Sequence, residues 1–181
     1  MGVYQTSIFV TLINFKKIIK IMAKPSKIKV VKAKWAWLLP MNIKAMTLFG
    51  TVYCDKKKDV DAINATDEVD SDLKCHETIH VRQAQYTSDS WFIFYCKYIW
   101  QWLMNLPLIT VYFNAMYKFM PFELEAYRYE NEFDYCTKPC DGWKKYKKLT
   151  MKQKRAFAKD YYQLRMVFSE FIKTKIDPVL E

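Results

Sequence analysis

Both histidines of the chain fall in one five-residue window, His76-Glu77-Thr78-Ile79-His80. On a helix, residues four apart project from the same face, so the two imidazoles are spaced to bind one zinc ion. Glu77 stands beside the first of them, where its carboxylate can take a proton from a metal-activated water and return it to a leaving amine. A catalytic zinc takes three protein ligands and keeps one position open. With no third histidine in the chain, the remaining ligand must be Glu, Asp, Cys or Tyr. The same absence excludes the long His-terminated metzincin motif.

The histidine window needs a helix to carry it. Asn64, Thr66 and Ser71 are all capable of capping one, and Asp67, Glu68, Asp70 and Asp72 suit its first turns, where the helix dipole favours acids. That helix is expected to run to about Gln85. The apolar run from Trp91 to Phe113 follows, interrupted by Lys97, Gln101 and Asn105 at a spacing of four. The pattern predicts a core helix with one wet stripe rather than a membrane span, because a central lysine is costly in lipid, and Pro107 ends it. Pro121 opens a short helix holding Glu123, Glu125, Ala126 and Tyr127. Glu130 falls on the face of Glu123 two turns later, where it can orient a histidine from behind.

Upstream, Lys27–Lys34 and Thr47–Cys54 read as two strands that pair in a small antiparallel sheet, with residues 55–59 a charged turn. Downstream, residues 138–148 form a basic connector. Thr150-x-x-Gln153 is a capping box before one long amphipathic helix, marked by Phe157, Tyr161, Leu164, Phe168 and Phe171 and ended by Asp177-Pro178.

Composition sets the outer bounds. A chain of 181 residues, 51% apolar and 17% aromatic, has material for one packed core. Three glycines leave no room for the Gly-rich phosphate loops of Rossmann or P-loop proteins. The net charge of +10 is uneven: residues 1–50 hold nine lysines and no acid, and residues 138–175 hold twelve Lys/Arg against three acids. Such basic ends suit nucleic acid, an anionic membrane, or an acidic or virion partner, or simply a solvated face. Five cysteines in irregular positions do not make a disulfide framework and fit a reducing compartment; Cys136 and Cys140 are a metal half-site, a redox pair or incidental thiols. The first 22 residues place the apolar run before the lysines, the reverse of a standard signal peptide. They read as an amphipathic anchor or as an extension ahead of a second start at Met22, and Gly2 with Thr6 loosely fits a myristoylation pattern.

The spacing Glu123-x-x-Ala126 resembles the helix on which many thermolysin-like peptidases present their third zinc ligand. That resemblance implies His76, His80 and Glu123 as ligands of one zinc ion, Glu77 as general base, and Glu125 as the reserve ligand. Tyr127 stands where several such peptidases have Asp; Tyr127 or Tyr129 is then a candidate oxyanion stabiliser, and Glu125, Tyr127 and Glu130 candidates for supporting the site. The order of motifs is also similar to that of a family of short H-E-x-x-H proteins from gut Bacteroidetes and their phages. The matching residues are Lys44 to Gly50, His76 to His80 with Gln83, Phe94-Tyr95, Tyr98, Trp102-Leu103, Phe122 to Tyr127 and Glu130.

The fold expected is α+β, mainly α: a minimal zincin-like, gluzincin-type domain over 26–148, with a small antiparallel sheet, a basic amphipathic extension over 1–25 and a terminal amphipathic helix over 149–181. The function expected is zinc-dependent hydrolysis of peptide or protein substrates, in a cytoplasmic or virion-associated setting. The alternatives are a structural or assembly protein, such as a phage virion component, that retains the zinc-binding fold, and a membrane-surface protein.

Overall fold

A computed structural model describes residues 29–32, 45–48, 51–54, 56–64, 69, 71–88 and 90–181. The expectations for the first 25 residues, including the anchor, the second start and the myristoylation pattern, lie outside the described residues. The described residues are mainly helical with one small sheet.

The sheet has three strands, β1 (Lys29–Lys32), β2 (Ala45–Leu48) and β3 (Thr51–Cys54), in the order β1-β3-β2. This corrects the antiparallel pairing expected of the two upstream runs. β1 pairs parallel with β3, Lys29 opposite Thr51, and the antiparallel pair lies within the second run, Leu48 opposite Thr51. One expected strand over 47–54 is therefore parts of two. Alternating burial along β3, with Val52 and Cys54 inward, seats the sheet on Val60 and Leu73. The expected charged turn over 55–59 is also corrected, since α1 (Lys57–Asn64) begins inside it.

α2 (Asp72–Ser88) starts just after Ser71, one of the three candidate caps, and carries both histidines. It is the central helix: Lys74 to Glu77, Ile79 to Val81, Gln83 and Ala84 are all buried. The sheet, α3 (Trp91–Met104) and α5 (Pro121–Tyr129) all pack on it. α5 opens on Pro121, whose missing N–H costs nothing at a first turn. Ala126 is buried in one cluster with Cys75 and Ile79 of α2, where its small side chain lets the two helices approach closely. Between α3 and α5 come a 3-10 turn (Leu106–Thr110) and the short α4 (Ala115–Lys118). After α5 follow a second 3-10 turn (Phe133–Thr137) and α6 (Trp143–Tyr146).

The wet stripe expected on α3 is a further correction. Lys97 is exposed, but Asn105 is fully buried and Gln101 half-buried. Asn105 Nδ2 donates to Met116 O, and Gln101 Oε1 accepts from Phe122 N. Polar side chains turn inward here because each finds a buried backbone partner, which repays its desolvation. The apolar side of the helix is left outside. Among the described residues, no helix is long and apolar enough to cross a membrane.

The long terminal helix is broken. α7 (Met151–Leu164) has the expected reciprocal capping box between Thr150 and Gln153. It stops at Arg165, which adopts the left-handed conformation with φ 53°. The chain resumes as α8 (Phe168–Phe171), a π-helical stretch (Ile172–Ile176) and α9 (Asp177–Leu180). The break divides the predicted aromatic stripe, and it folds Phe168 and Phe171 back on Phe157 and Tyr161. These helices share one core with Leu108, Phe119 and Leu124. Asp177 bonds Arg128 Nε (2.7 Å), Tyr146 Oη (2.9 Å) and Lys145 Nζ (2.9 Å), tying the C-terminal end to α5 and α6.

Candidate metal centre

One helical turn apart on α2, the two imidazoles bring their Nε2 atoms to 3.2 Å from each other. Glu123 enters from α5, its Oε1 3.1 Å from His80 Nε2 and its Oε2 3.4 Å from His76 Nε2. A tetrahedral ion with bonds of about 2.0–2.1 Å separates its ligand atoms by about 3.3 Å, so the three groups are spaced to share one metal ion. Of the His, Cys, Asp and Glu side chains among the described residues, these three alone form a cluster of that kind. His76 is 5% exposed, Glu77 4%, His80 6% and Glu123 0%, so bulk water cannot substitute for a missing ligand partner.

The protons on the histidines follow from the groups behind them. Gln83 Nε2 donates to the carbonyl of Phe122 (3.0 Å) and to Glu125 Oε2 (2.7 Å). Both partners only accept, which fixes the amide and turns Gln83 Oε1 toward His80 Nδ1 at 2.9 Å. His80 Nδ1 must then carry the hydrogen. His76 Nδ1 faces Glu130 Oε2 at 3.2 Å and is fixed the same way. Each ring therefore turns its Nε2 toward the carboxylate of Glu123, where it offers a lone pair when the ring is neutral. Glu123 Oε2 is itself buried and accepts no hydrogen bond. Two imidazoles and a carboxylate, converging in a dry interior, are stabilised by positive charge among them, and the three groups could hold a metal ion.

The electrostatics agree. Burial opposes charge on both rings, but Glu123 and Glu130 outweigh it at His76 and push it up to about 10. Glu123 likewise raises His80 against its burial. Burial raises Glu123, yet the two histidines, His80 first, hold its carboxyl well below the usual range. The pocket thus draws positive charge, as protons or as a metal ion.

The remaining predicted residues take distinct places. Glu77 accepts a hydrogen bond from the Thr47 hydroxyl on β2, and its charge is felt at both histidines. Glu125 points away from Glu123, as expected of neighbours two apart, and accepts from Tyr135 Oη (2.6 Å), Gly142 N (2.7 Å) and Gln83. It stands behind Gln83, which meets His80, rather than beside the three converging ligand atoms. Tyr127 lays its ring edge-on to His76 at 4.5 Å between centroids, and burial followed by the Glu123 charge raises its hydroxyl above the ordinary value. Tyr129 is away from the site, stacked on Tyr135 at 3.8 Å.

Roles that motif reading did not assign belong to Thr47, Tyr98 and Tyr117. Tyr98 reaches from the inner face of α3 and donates to Glu123 Oε1 at 2.5 Å. Burial, followed by the Glu123 charge, raises both Tyr98 and Tyr117 well above their ordinary value, so both stay protonated around the carboxylate. Tyr98 was visible only as one position in the order of motifs, and Tyr117 carried no signal. Comparison with models of known protein families, with curated proteins and with solved structures finds no match.

Proposed function

We propose that the chain is a zinc-dependent peptidase of zincin-like architecture. The observation that carries the reading is the convergence of three buried groups, His76, His80 and Glu123, at the spacing of ligands to one ion. Gln83 and Glu130 hold the Nδ1 hydrogens, so that both Nε2 atoms and Glu123 converge on one point beside Glu77. His76, His80 and Glu123 would hold the ion. A bound zinc would supply Lewis acidity, polarising a scissile carbonyl and lowering the pKa of water. Two nitrogens and an oxygen, without sulfur, are a donor set suited to zinc.

The residues of the chain do the rest. Glu77 takes a proton from the attacking water as its oxygen bonds to the carbonyl carbon. It passes that proton to the amide nitrogen as the C–N bond breaks, and the second water proton goes from the new carboxyl group to the amine, leaving a carboxylate and an ammonium group. Thr47 donates to one Glu77 oxygen and holds the carboxylate in place, leaving the other oxygen for the water. Tyr98 does the same for Glu123, donating to Oε1.

The test pairs metal content with chemistry. Protein purified without chelator is expected to hold one zinc per chain, and Glu77→Gln to keep that zinc while cleavage of a peptide library falls by about 100-fold or more. Protein without stoichiometric metal overturns the reading. The burial of all four residues favours one second reading, a closed metal site that ties α2 to α5 in a structural or assembly protein. In that case Glu77→Gln leaves every measured property unchanged, while His80→Ala loses both metal and thermal stability.

A further inference from the structure

We propose that the outer face of α3 is a docking surface for an anionic lipid bilayer, on which the helix lies flat. The inner face of α3 is built into the protein through Trp91, Phe94 and the hydroxyls of Tyr95 and Tyr98. Its outer face should be polar by the ordinary rule for surface helices. Instead Phe92 is 70% exposed, Trp100 63%, Ile99 55% and Met104 54%, with Ile93 and Leu103 beside them. At 100° per residue this arc covers about 160° of the helix, from Ile99 to Lys97 at its far border. Leu106, Ile109, Tyr112 and Phe113 continue the exposed apolar surface past the end of the helix.

Three features select lipid over a protein partner. The helix has 14 residues, about 21 Å at 1.5 Å per residue, too short to cross a bilayer but long enough to lie in its interface. The apolar side chains include Trp, Tyr and Phe, the residues that settle at the headgroup boundary. From Trp91 to Phe122 there is no acid, and the exposed Lys97 borders the arc, in a chain of net charge +10. Two copies docking by this face would bring Lys97 of each to a stretch that offers no carboxylate, whereas an anionic headgroup layer supplies the complement. Because Tyr98 touches Glu123 from the same helix, docking would bring the metal centre to within about one helix diameter, roughly 10 Å, of the bilayer surface.

The test is flotation of the full chain with vesicles of phosphatidylcholine alone, or of equimolar phosphatidylcholine and phosphatidylglycerol. The chain is expected to float with the anionic vesicles only. The double variant Phe92→Ser, Trp100→Ser is expected to lower the partition coefficient by about tenfold or more, since two apolar side chains leave the lipid. Its circular dichroism and metal content should match wild type, so a lost metal site and a lost docking face remain separate results. Failure of the wild type to float overturns the proposal. So does a variant that floats as well as wild type, which would assign binding to the basic stretches alone. A concentration-dependent dimer that the double variant abolishes, without flotation, overturns it in favour of a second copy.

Discussion

Phe122 O and Glu125 both accept from Gln83 Nε2, and the other end of that amide meets His80 Nδ1. A leucine at position 83 fills similar space but withdraws all three bonds. Gln83→Leu is therefore expected to lower zinc affinity by about 10- to 100-fold, the usual effect of losing the group behind a ligating histidine. Competition against a chromophoric chelator measures it, and an unchanged affinity would detach Gln83 from the site. His76, His80 and Glu77 were legible in the sequence because their chemistry depends on residue type and on a four-residue spacing that any helix reproduces. Gln83 lies one turn further on, and its role was not legible. It depends on which carbonyl and carboxylate arrive from α5, a fact of tertiary structure. Thr47 and Tyr98 were hidden in the same way, one on a strand and one on a following helix.

At the scale of elements, the packing of α5 on α6 turns on Gly142. A Cβ there would lie 2.8 Å from Tyr135 Oη and 3.0 Å from Glu125 Oε1. Neither atom can retreat freely: the two are hydrogen-bonded at 2.6 Å, and the Tyr135 ring is stacked flat on Tyr129. Gly142→Ala is expected to cost about 1–3 kcal/mol, the range for overpacking a filled interior. The midpoint of urea denaturation reads it, and a shift within error would show that the connector yields. Helix existence was well marked along the chain, by Pro121 at one start and Thr150-x-x-Gln153 at another. What failed were boundaries set by tertiary contacts. Arg165 stops a helix in a conformation that glycine usually serves, so no residue type announced it. The direction of β1 was likewise unreadable, because alternating residues suit parallel and antiparallel neighbours alike.

Across the whole molecule, one buried charge sits between the C-terminal helices and α3. Lys154 Nζ donates to Asn105 Oδ1 at 2.8 Å, and burial pushes the amine down from its ordinary 10.5 to about 8. Above pH 8 the folded state sheds this proton while the unfolded chain keeps it. This group therefore adds stability as pH rises from about 8 toward 10.5, and adds none below. Lys154→Met should abolish that increment. Compared at pH 7 and pH 10, the wild type is expected to gain stability relative to the variant, and a constant difference would rule the effect out. The lysine also shows why the terminal segment reads as an amphipathic helix from sequence. Its position looks like one more polar residue, and only the arrival of Asn105 turns it into a core contact.

The exposed arc of α3 also includes a thiol. Cys96 lies on it, while Cys54, Cys75, Cys136 and Cys140 are buried. Under native conditions a maleimide dye should therefore couple once, at Cys96, with no engineered cysteine. A polarity-sensitive dye at that position would stand among Phe92, Ile93 and Trp100. Its emission would then report contact of this face with a hydrocarbon phase in real time, in the unaltered protein.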